Sequence, residues 1–175
     1  KGNLNAPEEI LLDVDKMAEG KPYYSATGFS ISPDNQKLIF GVDDVSRRQY
    51  HLFLKDLKSG KITDLKIKNT TGSATWANDN KTIFYTSKNE ITLLSEKIMR
   101  HILGTDSSKD AVVYDEKDKS NYIGIGKSKN DKFILISSAA TTSSEVRYIN
   151  ADKPFDDFKV FQPRMKDVLY EVTPL

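Results

Sequence analysis
The sequence predicts an all-β chain built as part of a β-propeller: about three four-stranded antiparallel blades and the start of a fourth. Three observations predict it. First, "FSISPDNQKLIF" at Phe29–Phe40 returns as "ATWANDNKTIFY" at Ala74–Tyr85, with Asp34 and Asp79 45 residues apart, and more weakly as "IGKSKNDKFILI" at Ile125–Ile136. Self-similarity at about 40–50 residues is the mark of repeated supersecondary units. Second, apolar and polar positions alternate with period two between turn residues, as half-buried strands require. Third, no long segment carries the 3.6-residue periodicity of an amphipathic helix, and Asp15–Glu19 is the best short helical candidate. A β-sandwich is the rival architecture.

In the first unit, Phe29 and Ile31 alternate with Ser30 and Ser32, and Pro33-Asp34-Asn35 makes a turn. Leu38-Ile39-Phe40, Tyr50–Leu54 and Ile62–Ile67 supply the next strands, with a second turn at Lys58–Lys61. Asn35 and its counterpart Asn80 suit turn positions of positive φ, which Asn tolerates better than most residues. The second unit reads as strands near Ala74–Ala77, Thr82–Ser87, Ile98–Leu103 and Ala111–Asp115. The third reads as Tyr122–Gly126, Phe133–Ser137, Glu145–Ile149 and Lys159–Phe161. The expected blades span 22–68, 69–116 and 117–163 of a single domain over 1–175. Residues 8–20 form a lead-in strand, at Ile10–Val14, and the short helix, while 164–175 begin the next blade with a strand at Val168–Val172. Trp76 aligns with Ile31 in an inner strand and is expected to be at least half buried.

Composition narrows the function. The chain has 175 residues, 26 Lys plus Arg against 25 Asp plus Glu, and no Cys. A net charge of +1 gives no reason to expect a nucleic-acid partner. Without Cys there is no disulfide framework or thiolate metal site, which suits a cytoplasmic location, with the periplasm as the alternative. No apolar run approaches the ~20 residues of a membrane span, so no membrane partner is expected, and "KGNLNAPEEILLDVD" lacks the apolar core of a signal peptide.

Motifs for chemistry are weak. Gly124-Ile125-Gly126-Lys127-Ser128 resembles the end of a phosphate loop, but Asn121 stands where the first Gly belongs. Asp13-Val14-Asp15 starts like a calcium loop and then fails at Met17 and Ala18. His51 and His101 are the only histidines; each sits in an expected strand without a second His at i+4, so both read as ordinary strand residues. No G-x-S-x-G occurs. Asn69-Thr70-Thr71 and Asn80-Lys81-Thr82 match the glycosylation sequon, a pattern short enough to arise by chance. The expectation is therefore no catalytic, cofactor or metal residue within the chain.

Meander topology sorts the loops onto two ends. Pro33–Asn35, Lys58–Lys61, Asn78–Asn80 and Lys129–Asp131 share one end, and these short turns look structural. Ser46–Gln49, Lys88–Glu96 and Thr141–Ser144 share the other, with the links Tyr23–Thr27, Asn69–Gly72 and Lys117–Asn121. This second end is longer and more varied, and is the expected docking or gating face, with Arg47, Arg48, Thr141 and Thr142 as candidates.

The blocks "SPDN", "SRRQYHLFLKDLKSG", "WANDNKTIFY", "RHILGTD", "VVYDEKD" and "TTSSEVRYINAD" come in an order that resembles the N-terminal propeller region of the prolyl oligopeptidase family of serine peptidases, in its oligopeptidase B branch. "APEEILLDVDKMAEG" and "FQPRMKD" fit as well, so the resemblance covers nearly the whole chain. Leu94–Ile98 departs from it in lacking a Pro-Tyr pair, and "MKDVLY" is less polar than the family's usual sequence. The resemblance implies a seven-bladed propeller that gates an α/β-hydrolase domain. That domain would hold a Ser-Asp-His triad, beyond Leu175, and cut short peptides after basic residues. The chain alone would be inactive, its partners being that hydrolase domain and the peptide substrates. A non-catalytic propeller used as a binding scaffold is the alternative. An open sector would also leave the outward faces of its first and last blades uncovered, so the isolated chain is expected to self-associate.

Overall fold
The computed structural model describes residues 5–174, so the outermost ends of the expected domain, 1–4 and 175, lie outside the described residues. After a short helix, α1 (Val14–Ala18), come eleven strands: β1 (Ser25–Ile31), β2 (Lys37–Asp43), β3 (Tyr50–Asp56), β4 (Ile62–Trp76), β5 (Thr82–Lys88), β6 (Ser95–Ile102), β7 (Ala111–Asp115), β8 (Tyr122–Lys127), β9 (Phe133–Ala139), β10 (Ser144–Asn150) and β11 (Lys159–Gln162). Every pairing is antiparallel between strands adjacent in sequence. The sheets do not close on themselves: β1–β7 form one seven-stranded run and β8–β11 a second sheet.

β4 explains the seven. Its first half pairs with β3 (Lys55 with Ile62, Leu52 with Ile67) and its second half with β5 (Ala74 with Tyr85, Trp76 with Ile83). One 15-residue strand thus serves as the outer strand of blade one and the inner strand of blade two. The link expected as a loop at Asn69–Gly72 is instead a bend within this strand. Left-handed Lys66, Asn69 and Gly72 (φ 60°, 55° and 94°) make the bend, and Thr70 Oγ1 holds it by donating to the Tyr50 carbonyl and accepting from Gly72 N. Gly72 is required here. A Cβ on it would come within 2.5 Å of Thr27 Cγ2, while Cβ atoms on Gly28 or Gly41 would strike the Gly72 backbone at 2.1 and 2.4 Å. Three backbones meet where the chain changes blade.

Each turn between the first two strands of a blade repeats one design. Ser32 N bonds Lys37 O, Ala77 N bonds Thr82 O, and Ser128 N bonds Phe133 O. Asn35, Asn80 and Asp131 all take the left-handed conformation, at φ 57°, 58° and 58°. A side chain at Asp34, Asp79 or Asn130 accepts the backbone N–H two residues on. The sequence repeat is therefore a repeat of turn chemistry.

The apolar triplets are buried on both sides because blades stack face to face. Ile39, Leu52, Ile67, Trp76, Ile83 and Tyr85 fill the space between blades one and two. Phe84, Ile98, Ile123, Ile134, Ile136 and Ile149 fill the space between two and three. Residues 83 and 84 thus serve opposite cores, which is why the strand reads as a continuous apolar run. Full burial of a side chain such as Phe84 is worth about 1.5–3 kcal/mol. Trp76 is 3% exposed, and its indole N–H donates to the Ser30 carbonyl at 3.1 Å, tying the inner strands of two blades together.

Two expected strands are absent. Residues 8–13 are not extended against a partner; instead Leu12, Met17 and Tyr24 pack on Leu38, Phe40, Val42 and Phe53, so the outward face of blade one is covered by its own lead-in. Val168–Val172 is irregular. Ser144 N donates to Val168 O, the Ser144 hydroxyl bonds the Tyr170 backbone, and the Tyr170 hydroxyl accepts from Val146 N and donates to Gln162 O. These bonds lay the segment across the outward face of blade three, along a cleft of about 790 Å³ lined by Gly124, Leu135, Ser137, Val146 and Leu169–Val172. The outward faces are thus partly covered, not bare.

Candidate gating face
Arg47 and Arg48 are exposed in the loop between β2 and β3. The Asp43 carboxylate, 1% exposed, accepts from Val45 N at 3.0 Å and Arg48 N at 2.7 Å, and Ser46 and Arg48 are left-handed at φ 60° and 54°. A buried carboxylate thus folds the loop so that both guanidinium groups stand outward. Thr141 and Thr142 are exposed at the tip of the β9–β10 hairpin, which Ala140 N closes onto Ser143 O at 2.9 Å. The two pairs occupy corresponding loops of blades one and three and do not touch.

A stepwise polar belt lies between them. Lys88 Nζ donates to the Arg48 carbonyl at 2.8 Å, and burial with the neighbouring Arg48 charge lowers the Lys88 pKa. In the β5–β6 loop, Asn89 Oδ1 accepts from Ile91 N and Thr92 N, while Asn89 N bonds Leu94 O. That closed turn starts β6 at Ser95, three residues earlier than the apolar pattern indicates. Asn89 Nδ2 donates to Glu96, and Lys119 Nζ meets Glu96 Oε1 at 2.5 Å; this bond, with further help from Asn89, holds the Glu96 carboxyl below its ordinary range.

The belt then turns inward at Glu116, 8% exposed. Its carboxylate accepts from Ser138 Oγ at 2.5 Å, Tyr114 Oη at 2.7 Å and Asp118 N at 3.0 Å. Burial alone would raise this carboxyl; the bonds from Ser138, Tyr114, Asp118 and Asn121 outweigh it and bring it from 4.5 down to about 2. Glu116 is therefore a fixed anion that organises the link between blades two and three. Beyond it, Arg147 pairs with Glu145 at 2.8 Å and lies over the Tyr114 ring at 4.9 Å, and Arg164 reaches Ser138 and Ser143.

None of Glu116, Ser138, Glu145 or Arg164 stands out in the sequence. The histidine reading also changes in detail. His101, 1% exposed, faces Asp110 at 2.6 Å, and Asp110 also accepts from the Tyr85 hydroxyl at 2.9 Å. This triad of side chains joins β5, β6 and the approach to β7 in the interior, away from solvent. Burial first, then Asp110, pushes the Tyr85 phenol well above its usual range. His51 is half-buried in β3 beside Tyr24 and Asp44. Among the described residues no group of three or more His, Cys, Asp or Glu could hold a metal ion.

The sequence pattern of the "Prolyl oligopeptidase, N-terminal beta-propeller domain" family matches residues 1–174. The chain is 42% identical over 170 residues to dipeptidyl aminopeptidase BI of Pseudoxanthomonas mexicana, covering 97% of this chain and 23% of that protein. It is 31% identical to Protease 2 of Moraxella lacunata, covering 96% of this chain and 24% of the relative. Oligopeptidase B from Leishmania major superposes with a TM-score of 0.86 at 25% identity, covering 94% of this chain and 23% of that one. For oligopeptidase B from Trypanosoma brucei, with covalently bound antipain in its closed form, the TM-score is 0.84 at 25% identity, covering 99% and 24%. The chain thus spans about a quarter of the length of these relatives. Fold and pattern agree with the resemblance drawn from the repeats, and the chain belongs to the prolyl oligopeptidase family of serine peptidases, as part of its N-terminal β-propeller.

Proposed function
We propose that this chain is a sector of the gating propeller of a serine oligopeptidase that cuts short peptides after basic residues. The observation that carries the reading is the near-complete coverage of this chain by Protease 2 and the oligopeptidase B structures, matched to about a quarter of each. On this reading blades 22–68, 69–116 and 117–163 are the first part of a seven-bladed ring. The Ser-Asp-His triad lies on an α/β-hydrolase domain outside these residues, and the chain by itself turns over no peptide. The end that carries Arg47, Arg48, Thr141 and Thr142 faces that domain and the passing substrate; its support is the contrast between closed turns at one end and exposed, varied loops at the other. The isolated chain associates with itself through the outward face of blade three, where Phe161, Leu169 and Tyr122 remain exposed.

A second reading has its own support: the 42% identical relative is named a dipeptidyl aminopeptidase, which points to release of dipeptides instead of internal cleavage. The test uses the longer protein and the 175-residue chain side by side. Substrates are a fluorogenic peptide blocked at its N-terminus with Arg before the reporter, and an unblocked dipeptide reporter. Inhibitor-sensitive turnover of the blocked substrate by the longer protein alone is the expected result. Turnover of the unblocked reporter only favours the second reading, and turnover by the short chain overturns the division of labour. Sedimentation of the short chain at micromolar concentration tests self-association, and a clean monomer removes it.

A further inference from the structure
Arg164 leaves β11 behind Pro163 and turns back across blade three. One guanidinium nitrogen, Nη1, donates to the Ser143 carbonyl and hydroxyl, both at 2.9 Å. The other, Nη2, donates to the Ser138 carbonyl at 2.9 Å and hydroxyl at 2.7 Å. Its backbone N–H donates to Glu145 Oε2 at 3.2 Å. Ser138 and Ser143 sit on the two arms of the β9–β10 hairpin, and the residues between them at the tip are Thr141 and Thr142. A planar fork of fixed donors thus spans the hairpin base, a geometry that a Lys ammonium cannot reproduce. Ser138 Oγ donates onward to Glu116, so the clamp is anchored to the link between blades two and three. The hairpin belongs to the same blade, so the fork couples the chain leaving β11 to the loop end of β9 and β10.

We propose that Arg164 is a positioning residue of the gating face: it fixes the angle at which the Thr141–Thr142 tip stands over the substrate route and so sets the size of peptide admitted. This rests on the gating reading above. The β9–β10 ladder ends at the Ala139–Ser144 pair, so releasing the clamp leaves the tip beyond that pair held by the single bond from Ala140 N to Ser143 O.

The experiment uses the longer protein with two substrates cut after the same Arg: a short blocked fluorogenic peptide and an internally quenched peptide of about 30 residues. The readout is the ratio of kcat/KM for long over short. For Arg164→Ala the ratio is expected to rise by about threefold or more with the short substrate nearly unchanged, and Arg164→Lys and Ser143→Ala should give smaller rises in the same direction. A merely structural role lowers both substrates together and leaves the ratio alone; that result, or an unchanged ratio in an active protein, overturns the inference while the gating reading stands. If Arg164→Ala does not fold, the Arg164→Lys and Ser143→Ala ratios decide by the same criterion. An unaltered longer protein that cuts neither substrate overturns the peptidase reading, and this inference with it.

Discussion
The two ends of the blades are held by different kinds of bond. At the short-turn end each turn closes on itself, with Asp34, Asp79 and Asn130 each accepting an N–H two residues on and a left-handed residue following each, and single bonds then join one turn to the next, Asp34 N to Asn80 Oδ1 and Asn78 Nδ2 to the Asp131 carbonyl. At the long-loop end the bonds around Glu116 run between segments far apart in sequence. Glu116, which also takes the Tyr114 hydroxyl, meets Ser138 22 residues on, and Ser138 in turn meets Arg164 after another 26. A local bond re-forms whenever its turn forms, whereas a long-range polar bond needs the blades already stacked. The first end is thus a set of self-closed turns joined by single cross-links, while the second carries around Glu116 a network whose members depend on one another.

The largest effect that would sharpen this contrast comes from removing the hub. Glu116→Ala leaves the Tyr114 and Ser138 hydroxyls and the Asp118 N–H without their acceptor in a buried site. The expected loss is about 2–4 kcal/mol in chemical denaturation, since each buried unsatisfied group costs about 1–3 kcal/mol and water recovers part of it. Paired with Ser138→Ala in a double-mutant cycle, the two changes should be strongly non-additive. Additive losses would show that the long-loop end is a set of separate bonds after all, and the contrast would fall.

Acid gives a second, smaller probe of the same end. The Glu116 carboxyl is lowered in the folded chain from 4.5 to about 2 by hydrogen bonds that outweigh its burial. A depressed carboxyl contributes stability that is fully present above its unfolded value and is lost as pH falls through the folded one. Stability should therefore decline between pH 4.5 and about 2. Asp34, Asp56 and Asp79 are also lowered and add to the slope, so the measured quantity is the difference from Glu116→Gln. A variant with the same acid slope as the parent sequence would mean that Glu116 does not hold its charge on folding.

The same contrast explains what was legible in the sequence. Local chemistry repeats, so the Asp-Asn turns, the alternating strands and the order of the strand groups could be read directly, and Trp76 was placed by its alignment with Ile31. Long-range chemistry leaves no pattern: nothing in "VVYDEKD" says that its Glu is buried, and nothing in "FQPRMKD" says which hairpin its Arg grips. The errors have a physical source as well. The repeat predicts Asn69–Gly72 as a link between units and Val168–Val172 as the first strand of the next blade. In the structure Thr70 bonds keep β4 continuous through the first, and the Ser144–Tyr170 bonds hold the second as irregular chain. His101 lacked a visible partner because Asp110 reaches it across a turn with no recognisable spacing.

The smallest expected effect tests what one bond between turns adds at the short-turn end. Asn35 and Asn80 share one conformation, φ 57° and 58°, so replacing either by Gly changes the backbone cost alike. They differ in one respect. The Asn80 Oδ1 accepts from Asp34 N at 2.8 Å, a bond from the turn of blade two to the turn of blade one, while the Asn35 side chain is exposed. Asn35→Gly should then lie within about 0.5 kcal/mol of the parent, because relief of the left-handed strain offsets the added freedom of the unfolded chain. Asn80→Gly should be lower by about 1 kcal/mol more, the worth of one part-buried hydrogen bond. Equal effects would mean that the Asp34 N–H is satisfied as well by water, and that blades one and two are joined at this end by their apolar faces and by the Trp76–Ser30 bond instead.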